Sequence, residues 1–182
     1  MNTVEMVVLL DDAGTPIGEA RKSNVHTQDT PLHLAFSCYL MNQAGELLLT
    51  RRSPEKKTWP GVWTNSFCGH PAPGEDPEEA VMRRARFELG TDITRVELVL
   101  PEFRYRAVDP SGVVENELCP VYVARIHGEL NPNPTEVADW VWVSPDLLSG
   151  ALEHTSSAFS PWLALQFPQL LEAKALVSGA TA

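Results

Sequence analysis

GHPAPGEDPEEAVMRRARFELG, residues Gly69 to Gly90, marks both ends of its own helix. Asp76 is placed to cap, Pro77 suits the first helical position, Glu79 completes a capping-box pattern and Gly90 offers a left-handed stop. Val81, Ala85 and Leu89 recur at helical spacing, so the helix predicted from Asp76 to Leu89 has one apolar stripe and must lie on another element. The elements around it read as strands, rich in β-branched and aromatic residues: Val4–Leu10, His33–Met41 and Glu46–Arg51 before the helix, Val96–Tyr105, Val113–Val123 and Val137–Val143 after it. Turn signals at Asp12–Gly14, Asn42–Gly45, Asp109–Gly112 and Asn131–Pro134 separate most of them. Weaker helix patterns cover Pro145–Gly150 and Trp162–Leu176, and the tail over 177–182 is expected to fray. With no internal repeat and no linker, one domain over residues 1–182 follows, of α/β or, more narrowly, α+β class.

Length and charge narrow the function. A chain of 182 residues has room for one core and no second full domain. Its net charge of −10 disfavours nucleic acid or an anionic membrane as the main partner. Cys38, Cys68 and Cys119 are three, with no close pairing, which argues against a disulfide framework and for a reducing compartment. The opening MNTVEMVVLLDDAG has no basic segment, and Asp11 and Asp12 cut its apolar run short of a signal or spanning length. The expectation is a cytoplasmic protein, monomeric or weakly dimeric.

Within that frame some residues carry chemistry. Glu115 and Glu117 are two apart in VVENELCPVYV and point from one strand face, where like charges repel. Buried there without a cation, a donor or a proton between them, at least one would have its pKa raised. With His26, His33 and His70 they make a borderline ligand set that suits zinc, manganese or iron, whereas magnesium alone prefers oxygens. Cys68, in TNSFCGHP, is the best candidate for a reactive thiol, because Gly69 lets backbone approach a ligand and His70 lies beside it. Trp162 can face a bound cation. Basic residues gather in three clusters, Arg51 to Lys57, Arg83 to Arg86, and Arg104 with Arg106, a pattern suited to a small polyanion. Each feature also has an ordinary reading: core histidines, a solvated Glu-x-Glu face, buried thiols, core tryptophans, and an Arg84–Glu88 surface ion pair worth a few tenths of a kcal/mol.

Gly69, Glu75, Arg83, Glu88 and Gly90 fall on the spacing of the Nudix box, in which a glycine, a glutamate and an arginine–glutamate-rich helix bind a metal diphosphate. Two further helical glutamates of that family are replaced here by Arg84 and Phe87, leaving Glu88. Hydrolysis in such enzymes needs clustered carboxylates to hold divalent ions, so the chain is expected to cradle a diphosphate without cleaving it.

Over nearly its whole length, through HLAFS, WPGVWTNS, CGHP, RRAR, VENE, CPV and AFSPW, the sequence resembles the type I isopentenyl diphosphate isomerases. The resemblance implies a Nudix-like mixed sheet sandwiched between helices. It also implies reversible conversion of isopentenyl to dimethylallyl diphosphate in isoprenoid biosynthesis, by a 1,3 proton shift through a tertiary carbocation. By the same resemblance Cys68 and Glu117 are the proton-transfer groups, Tyr105 lies near the acid, and Trp162 faces the cation. His26, His33, His70, Glu115 and Glu117 would hold one Mn2+ or Zn2+ (or Mg2+). Glu88 and the Cys68 carbonyl would hold a second ion, Mg2+, bridging to the diphosphate, and Lys22, Arg52, Lys56 and Arg84 would contact the phosphates. Two other readings stand beside this one, a Nudix pyrophosphohydrolase and a non-catalytic diphosphate or metal-binding module.

Overall fold

A computed structural model describes residues 4–176; the expected frayed tail over 177–182 lies outside the described residues. In chain order the elements are β1 (Met6–Leu10), β2 (Pro16–Arg21), α1 (Lys22–Val25), β3 (His33–Leu34), β4 (Phe36–Met41), β5 (Leu47–Arg52), β6 (Trp63–Thr64), β7 (Phe67–Gly69) and α2 (Pro77–Leu89). There follow β8 (Asp92–Leu100), β9 (Arg104–Val108), β10 (Val114–Leu118), β11 (Val121–His127), β12 (Val137–Val143), α3 (Pro145–Thr155) and α4 (Pro161–Glu172).

Strand alternation decides the layering. Phe36, Cys38 and Leu40 of β4, with Tyr122 and Ala124 of β11, meet Val81, Ala85 and Leu89 of α2. The residues between them, Tyr39, Met41, Val121 and Val123, face Leu163, Phe167 and Leu170 of α4. A mixed sheet in the order β12-β5-β4-β11-β8 therefore lies between helices, as expected, and a second sheet runs β2-β1-β3-β10-β9.

The structure cuts three of the expected strands. His33–Met41 divides at Ala35 and Val113–Val123 divides at Cys119–Pro120, and in each case the chain passes from the second sheet to the one that lies between the helices. The two segments run parallel through both sheets, β3 with β10 and β4 with β11. Pro120 has no N–H for a ladder, which accounts for one break; Pro101 likewise opens the turn that splits Val96–Tyr105 into β8 and β9. The exposed edge strand β2, which begins at a proline, was not expected from its pattern. Of the weak helices, α3 runs past Gly150 to Thr155, while α4 starts one residue early and ends at Glu172.

The helix α2 is bounded as the sequence indicates. Asp76 accepts from the N–H groups of Glu78 and Glu79, and Gly90 is left-handed at φ 62°. A Cβ on Gly90 would lie 2.3 Å from the Asn131 carbonyl oxygen, so glycine is required there for space as well as angle. Beside its apolar stripe, α2 also buries Arg84 and Glu88. Among the described residues no helix is long and apolar enough to cross a membrane.

Candidate active site and metal centre

The two-sheet junction brings distant residues together. In the ladder His33 of β3 lies beside Glu117 of β10, and Glu117 lies opposite Tyr105 of β9. His26 follows α1 and His70 follows β7. One ligand atom from each of His26, His33, His70 and Glu117 falls within 4.8 Å of the others. Glu117 Oε1 is 3.5 Å from His33 Nε2 and 3.3 Å from His70 Nε2. Glu115 stands at the rim of this group, its Oε2 3.0 Å from His26 Nε2 and its Oε1 accepting from the Thr58 hydroxyl at 2.6 Å.

The polar atoms of this cluster face inward. Nε2 of His26 and His33, both ring nitrogens of His70 and Oε2 of Glu115 are buried and, although some of them lie within ion-pair distance of one another or of Glu117, none is aligned in a hydrogen bond. Leaving so many buried polar atoms unsatisfied is costly, and a divalent cation satisfies inward-facing nitrogens and carboxylates together. His33 Nδ1 lies 2.9 Å from the Pro31 carbonyl, which fixes the proton on that nitrogen and turns the Nε2 lone pair inward. The residues present thus fit a metal of the nitrogen-and-oxygen class.

Glu117 is buried on the Glu-x-Glu face, and donors meet it there. Burial alone would raise Glu117, but the imidazoles of His33 and His70 hold it well below the usual carboxylate range. Burial pushes His70 down to about 4, against the pull of Glu117. His33 goes the other way, because Glu117 outweighs its desolvation.

Cys68 sits on β7 opposite Ser37 of β4. Its sulfur donates to Asn65 Oδ1 at 3.3 Å, and burial raises the thiol to about 11. The same Asn65 oxygen accepts from Trp162 Nε1 at 2.9 Å. Tyr105 donates to Glu117 Oε2 at 3.0 Å, and its ring is 5.8 Å from that of Trp162. Cys68, Glu117, Tyr105 and Trp162 all line one cavity of about 710 Å³.

At the more exposed side of that cavity, its mouth, lie Lys22 and Lys56, with Arg52 and the buried Arg84 beside them. All but Arg52 already meet carboxylates. Lys22 contacts Glu5 at 2.6 Å, Lys56 pairs with Glu136, and Arg84 reaches Glu5 at 3.3 Å and Glu136 at 3.6 Å. Arg84 also donates through Nε to Glu88 Oε1 at 3.0 Å. This pair is not the surface contact that its spacing suggests: the two side chains are 3% and 7% exposed. Burial works against the charge on Glu88, but Arg84 and Lys56 keep its pKa lowered. A Cβ on Gly69 would lie 2.7 Å from Arg84 Cγ, so this glycine makes room for the arginine. Arg52 is directed differently, donating to the Thr58 and Trp59 carbonyls with its guanidinium 5.3 Å over the Trp162 ring. Phe87 is half-exposed, with Arg84 over its ring at 4.8 Å.

Glu75 orients the loop before α2, receiving Arg83 at 2.6 and 2.7 Å and the Ala72 N–H at 2.8 Å. Cys38 and Cys119 are buried free thiols and His127 and His154 are exposed, each in its ordinary role. Sequence reading did not single out Glu5, Ser37, Thr58, Asn65 or Glu136. Of these, only Ser37 and Asn65 stood in quoted motifs, where polar residues inside apolar strand signals were the available cue.

Comparison with known proteins agrees with the geometry. The NUDIX domain family matches residues 31–163. Solved structures share the fold: a Deinococcus radiodurans protein aligns with a TM-score of 0.70 at 22% identity, covering 91% of this chain and 98% of that one. A MutT protein from Methanosarcina mazei aligns at 0.61 and 18% identity, over 79% and 96% of the respective chains. Closer in sequence, the isopentenyl-diphosphate Delta-isomerase of Paenarthrobacter aurescens is 78% identical over 97% of this chain and 96% of its own length. That of Clavibacter michiganensis is 59% identical over 96% and 90%. The chain belongs to the Nudix superfamily and, within it, to the isopentenyl-diphosphate Delta-isomerases.

Proposed function

We propose that the cavity interconverts isopentenyl and dimethylallyl diphosphate by moving protons between the substrate and two side chains, Cys68 and Glu117. The observation that carries this reading is that the thiol and the carboxylate line one cavity, with Tyr105 and Trp162 on its wall. Burial raises the pKa of the thiol and the imidazoles lower that of the carboxylate, so one group favours holding a proton and the other accepting one, as a 1,3 shift requires. Protonating the terminal alkene carbon gives a tertiary cation, and removing a proton from the neighbouring methylene places the double bond internally. Microscopic reversibility makes each group acid and base in turn. Tyr105, donating to Glu117, orients that carboxylate, and Trp162 presents an aromatic face to the cation, an attraction of about 2 kcal/mol or more when desolvated.

His26, His33, His70, Glu115 and Glu117 would hold manganese, zinc or magnesium, which supplies positive charge to keep Glu117 ionised and in place. Glu88 and the Cys68 carbonyl oxygen would hold magnesium at the diphosphate. Lys22, Arg52, Lys56 and Arg84 bind the phosphates by exchanging carboxylate or carbonyl partners for phosphate oxygens. The chemistry suits a cytoplasmic metabolic enzyme, monomeric or weakly dimeric, with a small diphosphate as its partner.

The competing hydrolase reading meets Arg84 and Phe87 where the resemblance places carboxylates. Incubation of the metal-loaded protein with isopentenyl diphosphate in heavy water separates them. Deuterated dimethylallyl diphosphate without phosphate release is expected; released phosphate would establish hydrolysis, and unchanged substrate a binding module.

A further inference from the structure

Behind the Cys68 sulfur lies a row of fully buried polar side chains, Ser37, Tyr39, Asn65 and Gln166. The Tyr39 hydroxyl donates to Gln166 Oε1 at 2.9 Å, and Gln166 Nε2 donates to Ser37 Oγ at 3.0 Å. Ser37 Oγ in turn lies 3.5 Å from Cys68 Sγ and 3.4 Å from Cys119 Sγ.

The far end of the row fixes its direction. Tyr39 has no other hydrogen-bond acceptor among the described residues, so its proton goes to the Gln166 carbonyl. A flipped amide would leave that phenol proton buried and unpaired. Gln166 therefore turns its N–H toward Ser37, the serine oxygen becomes an acceptor, and its own proton has only the two sulfurs to meet. Cys119 is buried away from the cavity, whereas Cys68 lines it. On its other side the Cys68 thiol donates to Asn65. The sulfur thus has one neighbour that accepts its proton and a different one, the Ser37 hydroxyl, within reach to donate to its lone pair.

We propose that Ser37 is a positioning residue for the isomerisation, its hydroxyl aimed at the Cys68 sulfur by Gln166 and Tyr39 so that the sulfur keeps a hydrogen bond when its proton has moved to the substrate. The inference rests on the reading of Cys68 as a proton-transfer group. In that step the S–H bond breaks, its proton forms the new C–H bond, and the electron pair stays on sulfur. Ser37 donates to that pair without breaking its own O–H bond. A second proton leaves the substrate methylene for Glu117, and exchange with solvent resets both groups. Asn65 Oδ1 cannot substitute, since it only accepts.

Two variants, Ser37→Ala and Tyr39→Phe, test this in the full-length, metal-loaded protein. Ser37→Ala is expected to lower kcat about 10- to 100-fold with KM nearly unchanged, the range for losing a hydrogen bond to a charged partner. Tyr39→Phe, which frees the Gln166 amide to turn, is expected to lower kcat by a smaller factor, again at constant KM. Alkylation of Cys68 by iodoacetamide, followed by mass spectrometry, supplies a readout independent of turnover. Both variants should slow it, because the thiolate loses a donor, whereas a merely structural defect would open the site and speed it. Unchanged kcat in Ser37→Ala, a loss confined to KM, or faster alkylation overturns the proposal. If Ser37→Ala does not fold, Tyr39→Phe carries the same test. Cys68→Ala distinguishes the two levels: full activity there ends the reading of Cys68 itself, while an inactive Cys68→Ala beside a normal Ser37→Ala ends only the role of Ser37.

Discussion

The inner and outer ends of the cavity are built on opposite principles. At the inner end, imidazole nitrogens and a Glu115 oxygen converge without hydrogen-bond partners. At the mouth, each of Lys22, Lys56 and Arg84 already touches a carboxylate from Glu5, Glu88 or Glu136. Unpaired donors of lone pairs gain by receiving a cation. Paired charges gain nothing until an incoming anion offers a better partner, so the mouth acts by exchange. The first arrangement favours tight, persistent metal binding and the second favours reversible capture of a diphosphate.

The largest effect should come from Glu117, which the inner end holds and the proposed chemistry uses. Glu117→Gln is expected to reduce isomerisation about 1,000-fold or more while the protein stays folded, since general acid–base groups contribute factors of about 100 to 10,000. Turnover close to that of the parent would detach the carboxylate from the reaction. Removing the metal tests the inner end alone. Chelation should abolish activity and lower the melting temperature, with both restored by adding the ion back; a site filled at a thousand times its dissociation constant contributes about 4 kcal/mol. His33→Gln should weaken metal binding about 100-fold or more by titration calorimetry, because it removes both a ligand and its oriented tautomer. Equal metal content in parent and variant would show that the unpaired nitrogens serve another purpose.

At the mouth the paired design predicts compensation. Arg84→Met leaves Glu88 buried without its partner and should cost about 3–5 kcal/mol in urea unfolding, while the Arg84→Met/Glu88→Met double variant should recover most of that loss. Both should fail to bind inorganic pyrophosphate with parental affinity. A double variant no more stable than the single one would mean that Glu88 is not held by Arg84.

Which parts of this division the sequence reveals follows from where the interactions lie along the chain. The helix α2 was readable to the residue at its caps, because Asp76, Pro77 and Gly90 act within a few residues of each other. The residues of the His/Glu cluster were readable as a group because imidazole and Glu-x-Glu patterns keep their chemistry wherever the chain takes them. The breaks at Ala35 and Cys119–Pro120 were not, since a strand that passes from one sheet to another keeps its apolar pattern through the crossing. Nor were Glu5 and Glu136, whose roles depend on contacts with Arg84, 79 and 52 residues away in sequence. The ionised state favoured at Glu117 depends on the same distances: alternation places Glu115 beside it, but only the tertiary fold brings the donors His33 and His70 to it.

The smallest predicted effect concerns protons at the inner end without metal. His33 and His70 stack with ring centroids 5.2 Å apart and share one carboxylate, yet burial takes His70 down to about 4 while Glu117 takes His33 above its ordinary value. In an NMR titration of the metal-free protein, His33 should therefore take up its proton first on acidification, with His70 remaining neutral to about pH 4. The consequences for stability have opposite signs. Between an unfolded value near 6.5 and about 4, the unfolded chain binds a proton that folded His70 refuses, so His70 makes the fold less stable as the pH falls through that window. The raised pKa of His33 contributes stability that is fully present below 6.5 and is lost as the pH rises through its folded value. Replacing His70 by Gln should then flatten the acid loss of stability below pH 6.5, and replacing His33 should remove the stability gained on acidification towards pH 6.5 from above. The same response from both variants would show that the two imidazoles are electrostatically equivalent and would overturn this assignment.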